Sequence, residues 1–568
     1  MKLKTPYIAE MDNSNPHNYH PAPQFRRDSF ISLNGQWDFE INESADTACY
    51  SSTIIVPFCP ESAASGIETT VLPHQYMHYR RTFTLSEPLN GKRLILHFGA
   101  VDCESSVFVN ESLVYENKGG YIPFSVDITD HVADGENTIK VTANDTLDHK
   151  YPYGKQKYKR GGMWYTPVSG IWQTVWMEAV PANYVTDIKI TPYEKGVRIA
   201  VSGGDTHKKI TLTESGEVFE FDGNIVFIEP KDLKLWSPES PYLYYFTLEC
   251  GEDKIYSYFA VRWVDVRNIN GTSRICLNGS PYLFNGMLDQ GYYSDGIFMP
   301  ATVDGYIDDI KLTKALGFNM LRKHIKIEPM IFYYLCDKMG IAVFQDMVNN
   351  GKYKFVRDTI LPTVSTNILQ RLNDKRFSND KEIRSIFEDS MYKTADLLYN
   401  TPSVVYYTVF NEGWGQFTAD VMYDKIKTYD PTRIIDSTSG WFRRTKSDVD
   451  SRHIYFRRLE PKNLDGKPLV ISEFGGYAHS TEGHVFSEKI YGYRTFDSRE
   501  EFEDQICKLY ETEVAELVQK GASAFVYTQV SDVEDEINGF VTYDRQVVKV
   551  NTERLKSINL KLKEMSES

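Results

Sequence analysis

From about residue 266 onward the chain alternates short apolar runs with helix-like stretches, and that alternation constrains the fold more than any other feature. The runs are Phe284–Leu288, Phe318–Arg322, Ala342–Gln345, Val404–Phe410, Ile434–Asp436, His453–Phe456, Leu469–Ser472 and Ala524–Thr528. They are too short for helices and rich in β-branched and aromatic residues, so they read as buried strands. Between them Ile331, Tyr334, Leu335 and Met339 share one helical face. So do Ile383, Phe387 and Met391, and then Cys507, Tyr510, Val514 and Leu517. Eight strands alternating with helices over roughly 300 residues make a (β/α)8 TIM barrel, assigned to 266–568.

The first part of the chain has a different texture. From about 25 to 180 it offers only short strands, such as Arg93–Phe98, Ser106–Val109 and Thr138–Ala143, broken at Gly91-Lys92, Asn110-Glu111 and Asp134-Gly135. Strands at this spacing without helical patterns form an antiparallel β-sandwich, assigned to 1–181. A smaller set follows at Val185–Thr191, Val197–Val201, Ile210–Thr213, Tyr242–Leu248 and Ile255–Val261. Its length suits an immunoglobulin-like sandwich over 182–265.

Two acids stand at the ends of barrel strands. Glu412 closes the fourth run, in Ser403 to Gly413, and Glu473 closes the seventh, in Pro468 to Gly476. Barrel active sites form at the C-terminal face of the strands, so acids remote in sequence can converge there. Burying a charge without a partner is expensive, and acids held in such places usually serve chemistry. An acid and a nucleophile for cleaving a glycosidic bond is the simplest explanation; a buried salt bridge is the bland alternative. Retaining enzymes need the two carboxyl groups about 5–5.5 Å apart, whereas inverting enzymes leave more room for a water.

Bulk properties narrow the partners. The net charge is −15 and no long Lys/Arg run occurs, which argues against nucleic acid and anionic membrane and fits a neutral small ligand. The 38 tyrosines suit sugar binding and Tyr-rich sandwiches equally. The seven cysteines are scattered without a Cys-x-x-Cys, so neither a disulfide framework nor a zinc knuckle is expected and a reducing compartment fits. No apolar leader follows Met1 and no run approaches the roughly 20 residues that span a bilayer. The expected location is cytoplasmic.

The chain resembles glycoside hydrolase family 2, the group of β-galactosidases, β-glucuronidases and β-mannosidases, over nearly its whole length. Leu33–Phe39, Val56–Ser62, Tyr79-Arg80-Arg81, Gly119–Thr129 and Ser169–Trp176 resemble the jelly-roll sugar-binding domain of that family. Asn411-Glu412-Gly413 and Ser472-Glu473-Phe474-Gly475-Gly476 match its acid/base and nucleophile motifs. The resemblance implies an exo-acting, retaining β-glycosidase, with Glu412 as general acid/base and Glu473 as nucleophile. It implies no cofactor, and no Asp/Glu/His pattern in the sequence locates a metal ion. The N-terminal domains would shape the site or a homo-oligomer interface.

Further residues follow from the same resemblance. Asn411 would bind the sugar 2-hydroxyl and Arg322 would steady the nucleophile carboxylate; Tyr455 would support that nucleophile. The galactosidase and glucuronidase pattern has His-Tyr-Pro shortly after the arginine, where this chain has His324-Ile325-Lys326-Ile327-Glu328-Pro329, a segment nearer to the mannosidase and glucosaminidase side, so His324 is a candidate sugar ligand. Asp289, Gln290 and Asp346, at the ends of the first and third strands, are candidate hydroxyl binders or loop caps. Trp441 and Tyr527 are candidate stacking platforms. Where a glucuronidase carries Asn-x-Lys for the substrate carboxylate, this chain has Glu536-Ile537-Asn538, which would repel a uronate unless Lys323 or Lys326 supplied the charge. The favoured substrate is a β-galactoside; a uronide, a mannoside or a catalytically silent sugar-binding role are the alternatives.

Overall fold

The computed structural model describes residues 3–85, 88–361, 374–376, 378, 380–460 and 466–567. Its centre is an eight-stranded parallel sheet made of Phe284–Asp289, Met320–Lys323, Ala342–Asp346, Val404–Asn411, Ile434–Ser439, Asp450–Ile454, Leu469–Gly475 and Ala524–Thr528. The ladder runs without interruption from the fifth strand back through the first, then on to the eighth, seventh and sixth. Only the fifth and sixth lack a ladder. That gap is bridged by Asp448 N–H on Ile435 O at 2.9 Å and by Ser439 Oγ against His453 Nε2 at 2.7 Å. The barrel is thus nearly closed.

Period-two alternation divides the barrel's side chains. Phe284, Leu288, Met320, Ala342, Phe344, Val470, Ala524 and Val526 fill the interior. Met287, Leu321, Val343, Ile471, Phe525 and Tyr527 face the helix layer, as expected when neighbours on a strand point oppositely. Helices Met330–Met339 and Lys381–Leu398 carry the apolar faces that the sequence pattern predicts, and the third face is spread over Arg499–Leu509, Tyr510–Val514 and Ala515–Gln519. A hairpin of Val264–Ile269 and Thr272–Leu277 packs Val264, Ile275 and Leu277 into the barrel interior.

Before the barrel stand two sandwiches. The jelly roll pairs a six-stranded with a four-stranded sheet around Trp37, Phe39, Met77, Tyr79, Leu96 and Val141. Its strand Gly135–Asn144 alternates buried and half-buried positions along most of its length. The immunoglobulin-like domain packs three strands on four and includes Val218–Asp222 and Ile225–Ile228, which the sequence reading did not anticipate. Both alternate in burial, and the second, though wholly apolar, is short and leaves Ile225 and Phe227 exposed. The first jelly-roll strand starts at Phe30; upstream, the chain runs over the barrel, with Thr5 N–H and hydroxyl on Asp295 and His17 against Pro300 O. The sixth barrel strand lies at Asp450–Ile454 instead of the expected 453–456. Its first residues are polar because they meet buried partners: Asp450 takes Arg443 and Arg452, and Ser451 donates to Ser472.

Between the strands Gly135–Asn144 and Gly170–Ile171, a long jelly-roll loop crosses to the C-terminal rim of the barrel. Tyr153 N–H bonds Asn349 O at 3.1 Å and its hydroxyl bonds Gly351 O at 3.0 Å. The crossing is close: a Cβ on Gly154, whose φ is +60°, would sit 2.9 Å from Ile325 O.

Candidate active site

The acids at the tips of the fourth and seventh strands meet over one cavity. A carboxylate oxygen of Glu412, one of Glu473 and a ring nitrogen of His453 all lie within 4.8 Å of one another. Glu412 adopts φ 52° and is followed by Gly413 at φ 76°. This left-handed pair turns the chain sharply just after the strand, a conformation that costs a non-glycine residue about 1–2 kcal/mol and is typical of functional positions. Glu412 N–H is held on Ser439 O at 3.0 Å, which fixes the turn.

Glu473 is buried and heavily partnered. Arg322 Nη1 donates to its Oε1 at 3.1 Å and Tyr455 OH to its Oε2 at 2.5 Å. Burial alone would push this carboxyl up, but His453, the Arg322 guanidinium and His324 beside it, with the Tyr455 hydrogen bond, outweigh it and hold it at about 2. Arg322 is itself pinned: Nε donates to Asp346 at 3.0 Å, Nη1 to Ser472 O at 2.8 Å and Nη2 to Asn411 Oδ1 at 2.9 Å. Since Asn411 Oδ1 is taken, its amide Nδ2 is the side left to donate to a ligand.

His453 connects the two acids, and the sequence reading passed over it. Its Nδ1 lies 2.8 Å from Glu412 Oε1 and 3.4 Å from Glu473 Oε2. The ionised Glu473 carboxylate can only accept, so Nδ1 carries a hydrogen toward the pair, while Nε2 faces Ser439 Oγ at 2.7 Å. The available signal was the His-x-Tyr spacing, which puts His453 and Tyr455 on one side of the sixth strand's end.

The cavity lining includes Asn411, Glu412, Glu473, Tyr455, His324, Leu288 and Thr528 from the barrel strands and the residues just beyond them. His324 Nδ1 bonds Asp346 Oδ2 at 2.8 Å, so its other edge is free for a ligand. Burial, then the Lys155 charge, lowers the proton affinity of that imidazole. Ile325, Tyr353, Trp414, Tyr493 and Glu536 complete the barrel's share, while Lys155, Met163 and Trp164 come from the jelly-roll loop. Trp164, Tyr353 and Trp414 pack edge to face at 4.9–5.6 Å. No periodicity in a separate domain could have flagged the loop residues.

Other expected ligands lie off the cavity. Asp289 faces the helix layer, paired with Lys323 at 2.6 Å, because it is one residue out of phase with the inward-facing Leu288. Gln290 bonds Gln529 at 2.9 Å. Asp346 points inward but one layer down, where Arg322 and His324 occupy it; with the Arg322 charge opposing burial, its carboxyl is held at about 2. Trp441 stands edge-on to the His453 ring at 5.5 Å, behind the site. Tyr527 points outward onto Phe474 and Phe540. Lys323 and Lys326 are both committed to Glu328 at 2.8 Å, and neither lines the cavity.

One further trio, Asp102, Cys103 and Asp145, also brings possible ligand atoms within 4.8 Å, inside the jelly roll. In the Glu412–His453–Glu473 trio the imidazole is engaged on both nitrogens, a set better suited to proton positioning than to holding an ion.

The barrel segment 268–560 matches the family model described as glycosyl hydrolases family 2, TIM barrel domain. The chain belongs to glycosyl hydrolase family 2. Residues 66–169 match that family's galactose-binding domain-like model. A putative β-glucuronidase of Formosa agariphila is 24% identical to this family 2 chain over 78% of it and 55% of the relative. A β-galactosidase of Pseudoalteromonas haloplanktis is 23% identical over 74% of the chain and 43% of the relative. The chain thus spans about half the length of the curated relatives it matches. Among solved structures, a β-D-glucuronidase of Dictyoglomus thermophilum superposes with a TM-score of 0.75 at 19% identity, over 95% of this chain and 98% of that one. At that identity the likeness speaks for the fold.

Proposed function

We propose that this family 2 chain is an exo-acting, retaining β-glycosidase that removes a terminal neutral hexose by double displacement, with a β-galactoside as the favoured substrate. The reading rests on one observation: oxygens of Glu412 and Glu473 approach within 4.8 Å across a shared cavity. So close an approach supports the roughly 5–5.5 Å carboxyl separation of retaining enzymes over the wider gap that admits an inverting enzyme's water. Glu473, kept ionised by Arg322 and Tyr455, attacks the anomeric carbon. Glu412 protonates the departing oxygen, then takes a proton from the water that releases the sugar. His453 holds Glu412 at its working distance, and Asn411 Nδ2 is available to the 2-hydroxyl.

The neutral-sugar part is supported by Glu536. It lines the cavity; Lys323 and Lys326, the cations the sequence offered to offset it, are locked to Glu328, which leaves Lys155 as the lysine on the lining. At 4 Å, a second carboxylate would be opposed by about 4 kcal/mol at an effective dielectric of 20. Loop residues Lys155, Met163 and Trp164 close one side of the cavity, which supports attack at a chain end. A panel of nitrophenyl β-glycosides tests the reading with wild type and Glu473→Gln. The expected result is hexoside turnover, greatest on the galactoside, that the substitution abolishes. Turnover of uronides alone would overturn the neutral sugar, and sugar binding without any turnover would favour a silent binder.

A further inference from the structure

Two charges in the cavity have no ionic partner among the described residues, and no step of the double displacement uses them. Lys155 lines the cavity beside His324, and no carboxylate lies within ion-pairing distance of its ammonium. Its position is imposed by a small ladder in the loop. Tyr165 N–H bonds Lys155 O at 2.9 Å, Lys157 N–H bonds Tyr165 O at 3.1 Å, and the buried Gln156 accepts from Val168 N–H at 2.6 Å. Glu536, only 2% exposed, enters from beyond the eighth strand. Its Oε2 takes the Tyr165 hydroxyl and its Oε1 takes Asn538 Nδ2 at 3.0 Å. Tyr165 separates the two: its hydroxyl holds Glu536 while its ring centre lies 5.8 Å from the Lys155 ammonium. The charges are thus held in one cavity without neutralising each other.

An ammonium that can only donate and a carboxylate that can only accept, fixed apart, suit a ligand bearing several groups that do both. Sugar hydroxyls are such groups. We propose that Lys155 and Glu536 grip the non-reacting hydroxyls of the terminal sugar, with Lys155 as the specificity-determining residue that the jelly-roll domain lends to the barrel. The inference rests on the glycosidase reading and narrows its substrate class to an uncharged sugar with free hydroxyls remote from the anomeric carbon. A uronate would satisfy Lys155 but confront Glu536; a sugar deoxygenated or methylated at the gripped positions would leave both charges unsatisfied, and a site built to hydrogen-bond a hydroxyl discriminates strongly against its loss.

The test compares wild type, Lys155→Met, Lys155→Arg and Glu536→Gln on a nitrophenyl β-hexoside and its 3-, 4- and 6-deoxy analogues. Lys155→Met is expected to lower kcat/KM on the parent sugar roughly 10- to 100-fold, the range of a charged hydrogen bond. The same change should cost little on the deoxy analogue that has already lost the hydroxyl, and Lys155→Arg should recover part of the loss. An unchanged kcat/KM for Lys155→Met would overturn the proposal. So would wild type that is indifferent to every deoxygenation, a result that holds even if a variant misfolds. A wild type that prefers a uronide, with Lys155→Met losing only that preference, would make Lys155 an anion site instead. If no glycoside turns over, the glycosidase reading fails by itself; calorimetric binding of the free sugars to wild type and Lys155→Met still decides the grip.

Discussion

His453→Ala gives a sharp test of how the two acids are organised. The imidazole is fully buried, and its Nδ1 sits 2.8 Å from Glu412 Oε1 and 3.4 Å from Glu473 Oε2. Removing it deletes a hydrogen bond to a charged group at Glu412, worth about 1.5–3 kcal/mol, or roughly 10- to 150-fold in rate at 1.4 kcal/mol per decade. It also releases the Glu412 side chain from the only described partner of its carboxylate. Because Glu412 acts on the leaving group, the loss should depend on that group. A dinitrophenyl glycoside needs almost no protonation, so its glycosylation step should fall only a few-fold. An alkyl glycoside should lose 10²- to 10³-fold in kcat/KM, within the range general acid catalysis supplies. Steady-state kinetics over a series of leaving groups reads this as a steeper dependence of kcat/KM on leaving-group acidity. Equal losses across the series would refute the assignment of His453 to Glu412 and move it to Glu473; a loss under about 3-fold would refute any role for it.

Three further changes follow from the same geometry. Arg322→Met breaks a buried pair and should cost about 3–5 kcal/mol of stability near neutral pH. Glu473 and Asp346 have folded values held near 2, below ordinary values of 4.5 and 3.8. Their contribution is therefore present above those values and fades as pH falls toward 2, so thermal melts of wild type and Arg322→Met should converge in acid. Asp337 behaves oppositely: burial pushes it up to about 7 despite hydrogen bonds from Ser403 and Tyr258. It supports the fold below about pH 4 and loses that support as pH rises through 7, so Asp337→Asn should flatten the melting temperature between pH 4 and 8. Gly413→Ala would put a Cβ 2.4 Å from the Phe442 ring at φ 76°. It should reduce kcat at least 10-fold by displacing Glu412, measured alongside circular dichroism to confirm folding.

The barrel was legible because its strands are buried on both faces and so appear as unbroken apolar runs, from Phe284–Asp289 to Ala524–Thr528. It was least legible at the fifth and sixth strands, where Ser437, Thr438, Ser439, Asp450 and Ser451 are buried but polar. Hydrogen bonds replace apolar contact there, and hydropathy cannot see them. Glu412 and Glu473 could be found as strand-end acids next to glycine turns. Asp289 and Tyr527 misled because a strand end faces the mouth only on alternate residues, and each sits on the outward phase beside Leu288 and Thr528. The parity was present in the sequence, but the inward phase is fixed only once the partners of Arg322 are known. His453 was hidden for a different reason: its importance lies in distances to two strands far away in the chain. Lys155 belongs to a domain whose own pattern says nothing about the barrel, and only the packing of Tyr153 and Gly154 against the residues around Asn349 and Ile325 brings it there.

The anomeric configuration of the first product tests the central claim most directly. Proton NMR recorded as a nitrophenyl β-hexoside is cleaved should display the β-anomer first, with the α-anomer growing in only by mutarotation, as the short span between Glu412 and Glu473 requires. An initial α-anomer would mean that a water, and not Glu473, attacks the sugar, and would contradict the account.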